Sequence, residues 1–120
     1  MTVCEGLSDE LDAAILRVGH VLGWGSEESA MRYIGEGWIA EEAVALALYC
    51  VLRYPDDYAA CVRRAANSDG DSDSVACIAG GIVAARAGAL DALPATWIRR
   101  TENRAVLLDL GMRLAYARGG

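Results

Sequence analysis

The sequence predicts an all-α protein, built as a compact multi-helix bundle. Apolar residues recur at spacings of three and four along nearly the whole chain, which is the period of an α-helix. No stretch shows the apolar–polar alternation of a half-buried strand. The chain has 120 residues, and we expect residues 1–120 to form a single domain.

The first half of the chain contains three predicted helices. The first has Ser8 as its cap and one apolar face, formed by Leu7, Leu11, Ala14, Ile15, Val18 and Leu22. A short second helix begins near Ser26. The third, "WIAEEAVALALYCVLRY", is apolar nearly all round, which is typical of a central buried helix. Pro55 ends this segment and is expected in the first turn of the next helix.

The second half continues the helical pattern. Val75, Ile78, Ala79, Ile82 and Val83 recur at helical spacing in the segment that follows residue 74. Within it, Gly80 and Gly81 are expected to let a neighbouring helix approach closely, which would offset about 1 kcal/mol of helix propensity lost at each glycine. Pro94 starts a short helix. The last helix is predicted from about Glu102, with an apolar stripe of Val106, Leu107, Leu110 and Leu114.

The charge of the chain limits its partners. Seventeen acidic residues and 11 basic ones give a net charge of −6, and all the basic ones are arginine. An acidic chain is not expected to bind nucleic acid. Residues 1–62 have a net charge of −8 and residues 63–120 one of +2, a split that either steers self-association or reflects solvated helix faces.

No apolar run has the length or purity of a membrane span, and the first residues lack the pattern of a signal peptide. The four cysteines show no CxxC spacing, and we expect all of them to be reduced core residues: Cys4, Cys50, Cys61 and Cys77. These observations predict a cytoplasmic protein with no membrane partner.

Several single residues invite a functional interpretation, and each also has a structural one. Trp38 and Trp97 are predicted to be core residues, and His20 to lie at the surface or at a helix end. Glu41 and Glu42 fall in the first turn of the central helix, where carboxylates complement the helix dipole. The arginines of the short C-terminal helix are predicted to form a solvated face: Arg99, Arg100 and Arg104.

The acidic segment "NSDGDSDS" is the strongest candidate site. Asp71, Asp73 and Ser74 offer two carboxylates and a hydroxyl, oxygen ligands that suit Mg²⁺, Mn²⁺ or Ca²⁺. The same residues are also good helix caps and favourable charges at a helix N-terminus. A calcium EF-hand loop is excluded, because its sixth position needs glycine and its twelfth needs glutamate, where this chain has Ser74 and Gly80.

Four motifs occur together in a fixed order between residues 33 and 117: a glycine-flanked tryptophan followed by "AEEA", an apolar helix ending in "RYPDD", the loop "GDSDS" and the helix "IAGGIVAA". In this order they resemble the C-terminal part of the ADP-ribosylglycohydrolases, which remove ADP-ribose from modified protein side chains. The resemblance implies that Asp71, Asp73 and Ser74 are one part of a two-metal site for Mg²⁺ or Mn²⁺. It also implies a shortened form of that family's fold and an ADP-ribose-type ligand.

The resemblance does not extend to the other half of the family's site. Complete relatives are much longer, and their early segments supply the remaining metal ligands and the catalytic acid. Nothing before Gly35 matches those motifs, so the catalytic residues stay unassigned. We therefore expect a truncated protein that is non-catalytic alone and that covers exposed apolar faces by forming a homodimer. Two alternatives are a Mg²⁺-dependent hydrolase completed by a second chain, and an adaptor that reuses only the scaffold.

Overall fold

The computed structural model describes residues 9–118, and within them the chain forms seven α-helices, one short 3₁₀ helix and no strand. The all-α prediction is therefore confirmed. The elements in chain order are α1 (Asp9–Val21), α2 (Glu27–Ile34), α3 (Ala40–Arg53), α4 (Tyr58–Ala66), α5 (Ser72–Ala87), the 3₁₀ helix (Leu90–Ala92), α6 (Ala95–Arg100) and α7 (Arg104–Ala117).

Helix α3 is the centre of the core, as its nearly all-round apolar sequence predicted. Helices α1, α2, α4 and α5 all pack against it. Half of its 14 residues are buried: Ala43, Ala45, Leu46, Ala47, Tyr49, Cys50 and Val51. From α5, the buried residues Val75, Ala79 and Val83 complete the core at spacings of four.

The start of α2 agrees with the predicted position near Ser26, and the starts of α4 and α7 differ from the predicted ones. Ser26 caps α2 and accepts a hydrogen bond from the Ser29 N–H at 3.2 Å. Pro55 lies before α4 rather than inside it, because Asp57 is the N-cap and accepts from the Ala60 N–H at 3.0 Å. Helix α7 begins at Arg104, after Asn103 adopts a left-handed conformation with φ 59°. The predicted Ser8 cap and Leu7 lie outside the described residues.

The two adjacent glycines of α5 have different surroundings. Gly80 is buried, and a β-carbon there would lie 3.5 Å from the Tyr58 hydroxyl and from a Val62 methyl. Gly80 therefore supports the predicted close approach of α4 and α5. Gly81 faces open space, so the prediction was wrong for this residue.

The predicted core cysteines and tryptophans are buried in part and exposed in part. Cys50 and Cys61 are buried free thiols, but Cys77 is free and exposed because it lies on the outer face of α5, and Cys4 lies outside the described residues. Trp38 is 67% exposed rather than buried, since it precedes the first turn of α3 in an extended loop. Trp97 is half-buried and packs edge-on against Tyr58, with ring centroids 5.9 Å apart.

The burial of Cys50 predicts an alkaline loss of stability. Burial raises the pKa of this thiol from 9.0 to about 12. Between these values the unfolded chain loses a proton that the folded chain keeps, so stability is complete below pH 9 and falls as the pH rises towards 12. We expect the free energy of unfolding to drop by about 2–3 kcal/mol between about pH 9 and pH 11, as measured by urea denaturation.

Two variants separate this contribution of Cys50 from other alkaline effects. Cys50→Ala lowers the stability at neutral pH by leaving a small cavity, but it should flatten the alkaline slope. Cys77→Ala removes an exposed thiol and should leave the slope unchanged. An equally steep slope in Cys50→Ala would show that other groups, such as the buried Tyr49 and Cys61, dominate it.

The C-terminal helices differ from the rest of the molecule in their exposure. Helix α6 contacts α4 through Trp97, whose ring also lies 5.7 Å below the Arg63 guanidinium. Helix α7 has no buried residue, and the residues of its predicted apolar stripe are between 49% and 69% exposed. Arg99, Arg100 and Arg104 are exposed, as predicted.

Candidate functional site

The acidic loop is joined to a second loop that lies more than thirty residues earlier in the chain. The backbone N–H of Asp71 donates to the carbonyl oxygen of Glu36 at 2.8 Å. A β-carbon at Gly70 would collide with the backbone and side chain of Glu36, so only glycine allows this approach. The glycine loop, which we define as Gly35–Gly37, and the acidic loop, Asn67–Ser74, therefore form one structural unit at the N-terminus of α5.

Glu42 holds the glycine loop in place. Its Oε1 atom accepts hydrogen bonds from the backbone N–H groups of Glu36 at 2.9 Å and of Gly37 at 3.2 Å. Gly35 and Gly37 have φ values of 146° and 85°, which favour glycine. Glu42 occupies the third position of α3, from which a carboxylate can reach back to the preceding backbone, as in a capping box. The helix dipole therefore accounts for only part of its role.

The outer side of the glycine loop carries an exposed pair of polar contacts. The indole N–H of Trp38 donates to the Glu36 carboxylate at 3.1 Å. Both side chains are exposed, and the indole is held beside the loop instead of being packed in the core. Glu36, which no motif assigned, thus contributes its backbone carbonyl to the acidic loop and its carboxylate to Trp38.

The predicted site residues lie together at the start of α5. Asp71 occupies the N-cap position, but its side chain makes no capping hydrogen bond. Contact with the Asp71 side chain lowers the pKa of Asp73, and the backbone N–H of Ser74, which donates to Asp73 Oδ1 at 3.0 Å, lowers it further. Asp73 and Ser74 also line a shallow groove with Cys77 and Ile78. Side-chain capping therefore does not account for the Asp71 carboxylate, which is in contact with Asp73.

Other acidic residues have structural partners, one of them in the acidic loop and two at the opposite end of α5, beside Arg86 in its last turn. Asp69 accepts from Arg32 Nε at 2.8 Å, and this hydrogen bond raises the pKa of Arg32. Asp57 caps α4, and Asp56 pairs with Arg86 at 3.4 Å. Within the acidic loop, Asp69 is paired with Arg32, so Asp71 and Asp73 are the two carboxylates that stay available for a ligand.

The chemistry of this donor set fits a hard divalent cation only in part. Two carboxylates and a hydroxyl are oxygen ligands, the kind that Mg²⁺ and Mn²⁺ take. Octahedral coordination needs about six ligands, which Mg²⁺ completes in part with water. Within residues 9–118, no group of three or more His, Cys, Asp or Glu side chains is placed to hold a metal ion.

Comparison with known proteins now identifies the family. The family model for ADP-ribosylglycohydrolase matches residues 2–120. The chain belongs to the ADP-ribosylglycohydrolase family. The match extends beyond the motifs between residues 33 and 117 and includes α1 and α2. Neither the curated proteins nor the solved structures contain a significant match to the chain.

Two of the motifs that carry the resemblance to the ADP-ribosylglycohydrolase family belong to the two joined loops. The motifs that carried the resemblance, the glycine-flanked tryptophan and "GDSDS", are distant in sequence and adjacent in the structure. His20 lies at the exposed C-terminal end of α1, with its Nδ1 3.5 Å from the Tyr33 hydroxyl, away from these loops in sequence. Of the helices in the described part of the chain, none is long and apolar enough to cross a membrane.

Proposed function

We propose that this protein is a truncated member of the ADP-ribosylglycohydrolase family that keeps one part of a Mg²⁺ or Mn²⁺ site. In this proposal Asp71, Asp73 and Ser74 hold the cation weakly, the chain alone does not hydrolyse ADP-ribosyl groups, and copies of the chain associate. The observation that carries the proposal is the arrangement of Asp71 and Asp73. Their carboxyl groups face each other at a helix N-terminus, and neither is neutralised by an arginine.

The proposed chemistry follows from the charges of the loop. Two neighbouring carboxylates that pair with no arginine attract a divalent cation, and oxygen ligands of this kind suit Mg²⁺ and Mn²⁺. The Ser74 hydroxyl adds a neutral oxygen donor. When bound, a divalent cation in this family's site would orient and polarise a ribose diol and a water molecule. The chain's own part is to fix the loop, because Gly70, Glu36 and Glu42 position the backbone that presents these side chains.

The absence of hydrolysis is proposed from the small number of ligands. The loop supplies three oxygen donors, and the described residues place no further carboxylate cluster beside them. Contacts already occupy two of the glutamates beside the loop, since Glu42 is bound to the glycine loop and Glu36 to Trp38. No contact of Glu41 assigns it the role of a general acid.

The activity of the isolated chain tests this proposal. We expect no measurable release of ADP-ribose from ADP-ribosyl-arginine by the purified protein in Mg²⁺ or Mn²⁺, followed by chromatography of the products. An Asp73→Ala variant serves as the control for trace contamination by a complete hydrolase. Metal-dependent turnover by the wild type that disappears in Asp73→Ala would overturn the non-catalytic assignment.

The alternative is a Mg²⁺-dependent ADP-ribosyl hydrolase whose site is completed by a second chain. The open groove beside Asp73 and Ser74 favours it, because another chain could place carboxylates there. Mixing the protein with a separately produced N-terminal portion of a family member should then create activity, and Asp73→Ala should abolish it. If no mixture is active although the two chains bind, the alternative fails.

A further inference from the structure

Helix α7 leaves its large apolar side chains in water. All seven are between 40% and 73% exposed, and no residue of the helix is buried. A helix that is apolar on more than one side is normally buried on those sides. Exposure of this extent on a folded chain therefore indicates a surface that another molecule covers.

The apolar residues of α7 form two faces. At about 100° per residue, Val106, Leu110 and Leu114 lie along one side of the helix, and Leu107 lies beside them. Leu108, Met112 and Tyr116 lie along the opposite side. Between the faces, Asp109 and Arg113 form an ion pair at 2.9 Å.

A second uncovered apolar stripe lies on α3. Val44, Leu48 and Leu52 are spaced four residues apart, so they share one side of the helix. Val44 and Leu52 are exposed although the rest of α3 forms the core, and Leu48 is half-buried. We call these three residues the α3 stripe. It is shorter than α7, and its apolar character matches one face of that helix.

The charges distinguish the two surfaces. The C-terminal arm, residues 95–118, has five arginines and two acidic residues, a net charge of +3. The body, residues 9–94, has fourteen acidic residues and six arginines, a net charge of −8. Two arms would repel each other, whereas an arm and a body attract. An anionic membrane would also attract the arm, but it would repel the larger negative charge of the body.

We propose that α7 of each chain docks on the α3 stripe of a second copy, in a reciprocal exchange of C-terminal arms. The inference rests on the self-association included in the proposed function and names its interface. A two-fold axis makes the contact twice and closes the assembly as a dimer. Trp97 fixes the root of the arm on α4 of its own chain, so that α7 extends from an anchored point.

The oligomeric mass tests the exchange. Size-exclusion chromatography with light scattering on the full chain should give a dimer that weakens as salt increases, because the charges of arm and body are screened. Leu114→Glu on the arm and Leu52→Glu on the body should each give a monomer. Leu90→Glu is the matched control, since Leu90 is 53% exposed and Leu52 is 49% exposed, and it should remain a dimer.

A mixing experiment shows which surfaces meet. The Leu114→Glu chain keeps an intact body and the Leu52→Glu chain keeps an intact arm, so an equimolar mixture should form a heterodimer through one arm–body contact. Val44→Glu should behave like Leu52→Glu, and circular dichroism should show that each variant keeps the helical content of the wild type.

Two results would overturn the inference. A dimer that survives Leu52→Glu and Val44→Glu but not Leu114→Glu would mean that α7 pairs with α7, and the proposed self-association would stand without this interface. A wild-type monomer at every concentration would remove both the interface and the self-association. Binding of that monomer to anionic vesicles would assign the arm to a membrane instead.

Discussion

Gly70→Ala is expected to lower the free energy of unfolding by about 3 kcal/mol. The added β-carbon would collide with the carbonyl oxygen, the carbonyl carbon and the Cβ of Glu36. Two of these are backbone atoms, so no flexible side chain can move aside to relieve the collision. The same carbonyl accepts the Asp71 N–H, and separating the loops would also break that hydrogen bond. Chemical denaturation of the two proteins measures the difference.

Gly81→Ala is the matched control for this prediction. Gly81 lies inside α5 and has nothing within 4 Å of the added carbon. Alanine should therefore stabilise the protein by about 1 kcal/mol through its higher helix propensity. If Gly70→Ala were as stable as Gly81→Ala, the close contact between the glycine loop and the acidic loop would be wrong.

Glu27→Ala should destabilise the fold by about 2–3 kcal/mol. The Glu27 carboxylate accepts from the Tyr54 hydroxyl at 2.7 Å and from Arg53 Nε at 3.2 Å, and it lies 3.8 Å from Arg64. The hydrogen bond to Glu27 raises the pKa of Tyr54. Removing the carboxylate leaves two arginines and a hydroxyl without their partner between α2, α3 and α4. Its side chain is 18% exposed, which reduces the effect below that of a fully buried pair.

Glu28→Ala is the control that distinguishes the loss of the Glu27 contacts from the loss of a negative charge. Glu28 is the next residue of α2 and is exposed, so its loss removes the same charge without breaking the contacts of Glu27. We expect a change in stability within about 0.5 kcal/mol. Thermal unfolding of both variants measures the contrast, and equal losses would refute the role assigned to the Glu27 network.

The sequence predicted the helices and most of the core because both depend on periodicity. The burial of Ala45, Leu46 and Val51 follows from the nearly all-round apolar pattern of α3. The position of Trp38 does not follow from that pattern, because a tryptophan before the first turn of a helix can point into the core or towards solvent. Here the Glu36 carboxylate holds its indole at the surface. Periodicity likewise predicted an apolar stripe on α7 but could not show that it lacks a partner within the chain.

The candidate site was only partly accessible from the sequence. The residue types of the acidic loop predicted Asp71, Asp73 and Ser74, and the structure places them at one helix N-terminus. The contact between Gly70 and Glu36 could not be predicted, since it joins segments distant in sequence through backbone atoms. The contact of Glu42 with the glycine loop could have been predicted from its position, because a glutamate in the third position of a helix can bind the backbone before it.

Mn²⁺ should broaden backbone amide signals of the 120-residue chain, and this paramagnetic broadening tests the metal site most directly. This effect is local, so it can place a cation that binds weakly. We expect selective broadening of residues 70–75. It should disappear in the Asp73→Asn variant and stay unchanged in Asp56→Asn, which alters a separate acidic turn. Broadening centred on Asp56 and Asp57, or an unchanged pattern in Asp73→Asn, would contradict the metal site.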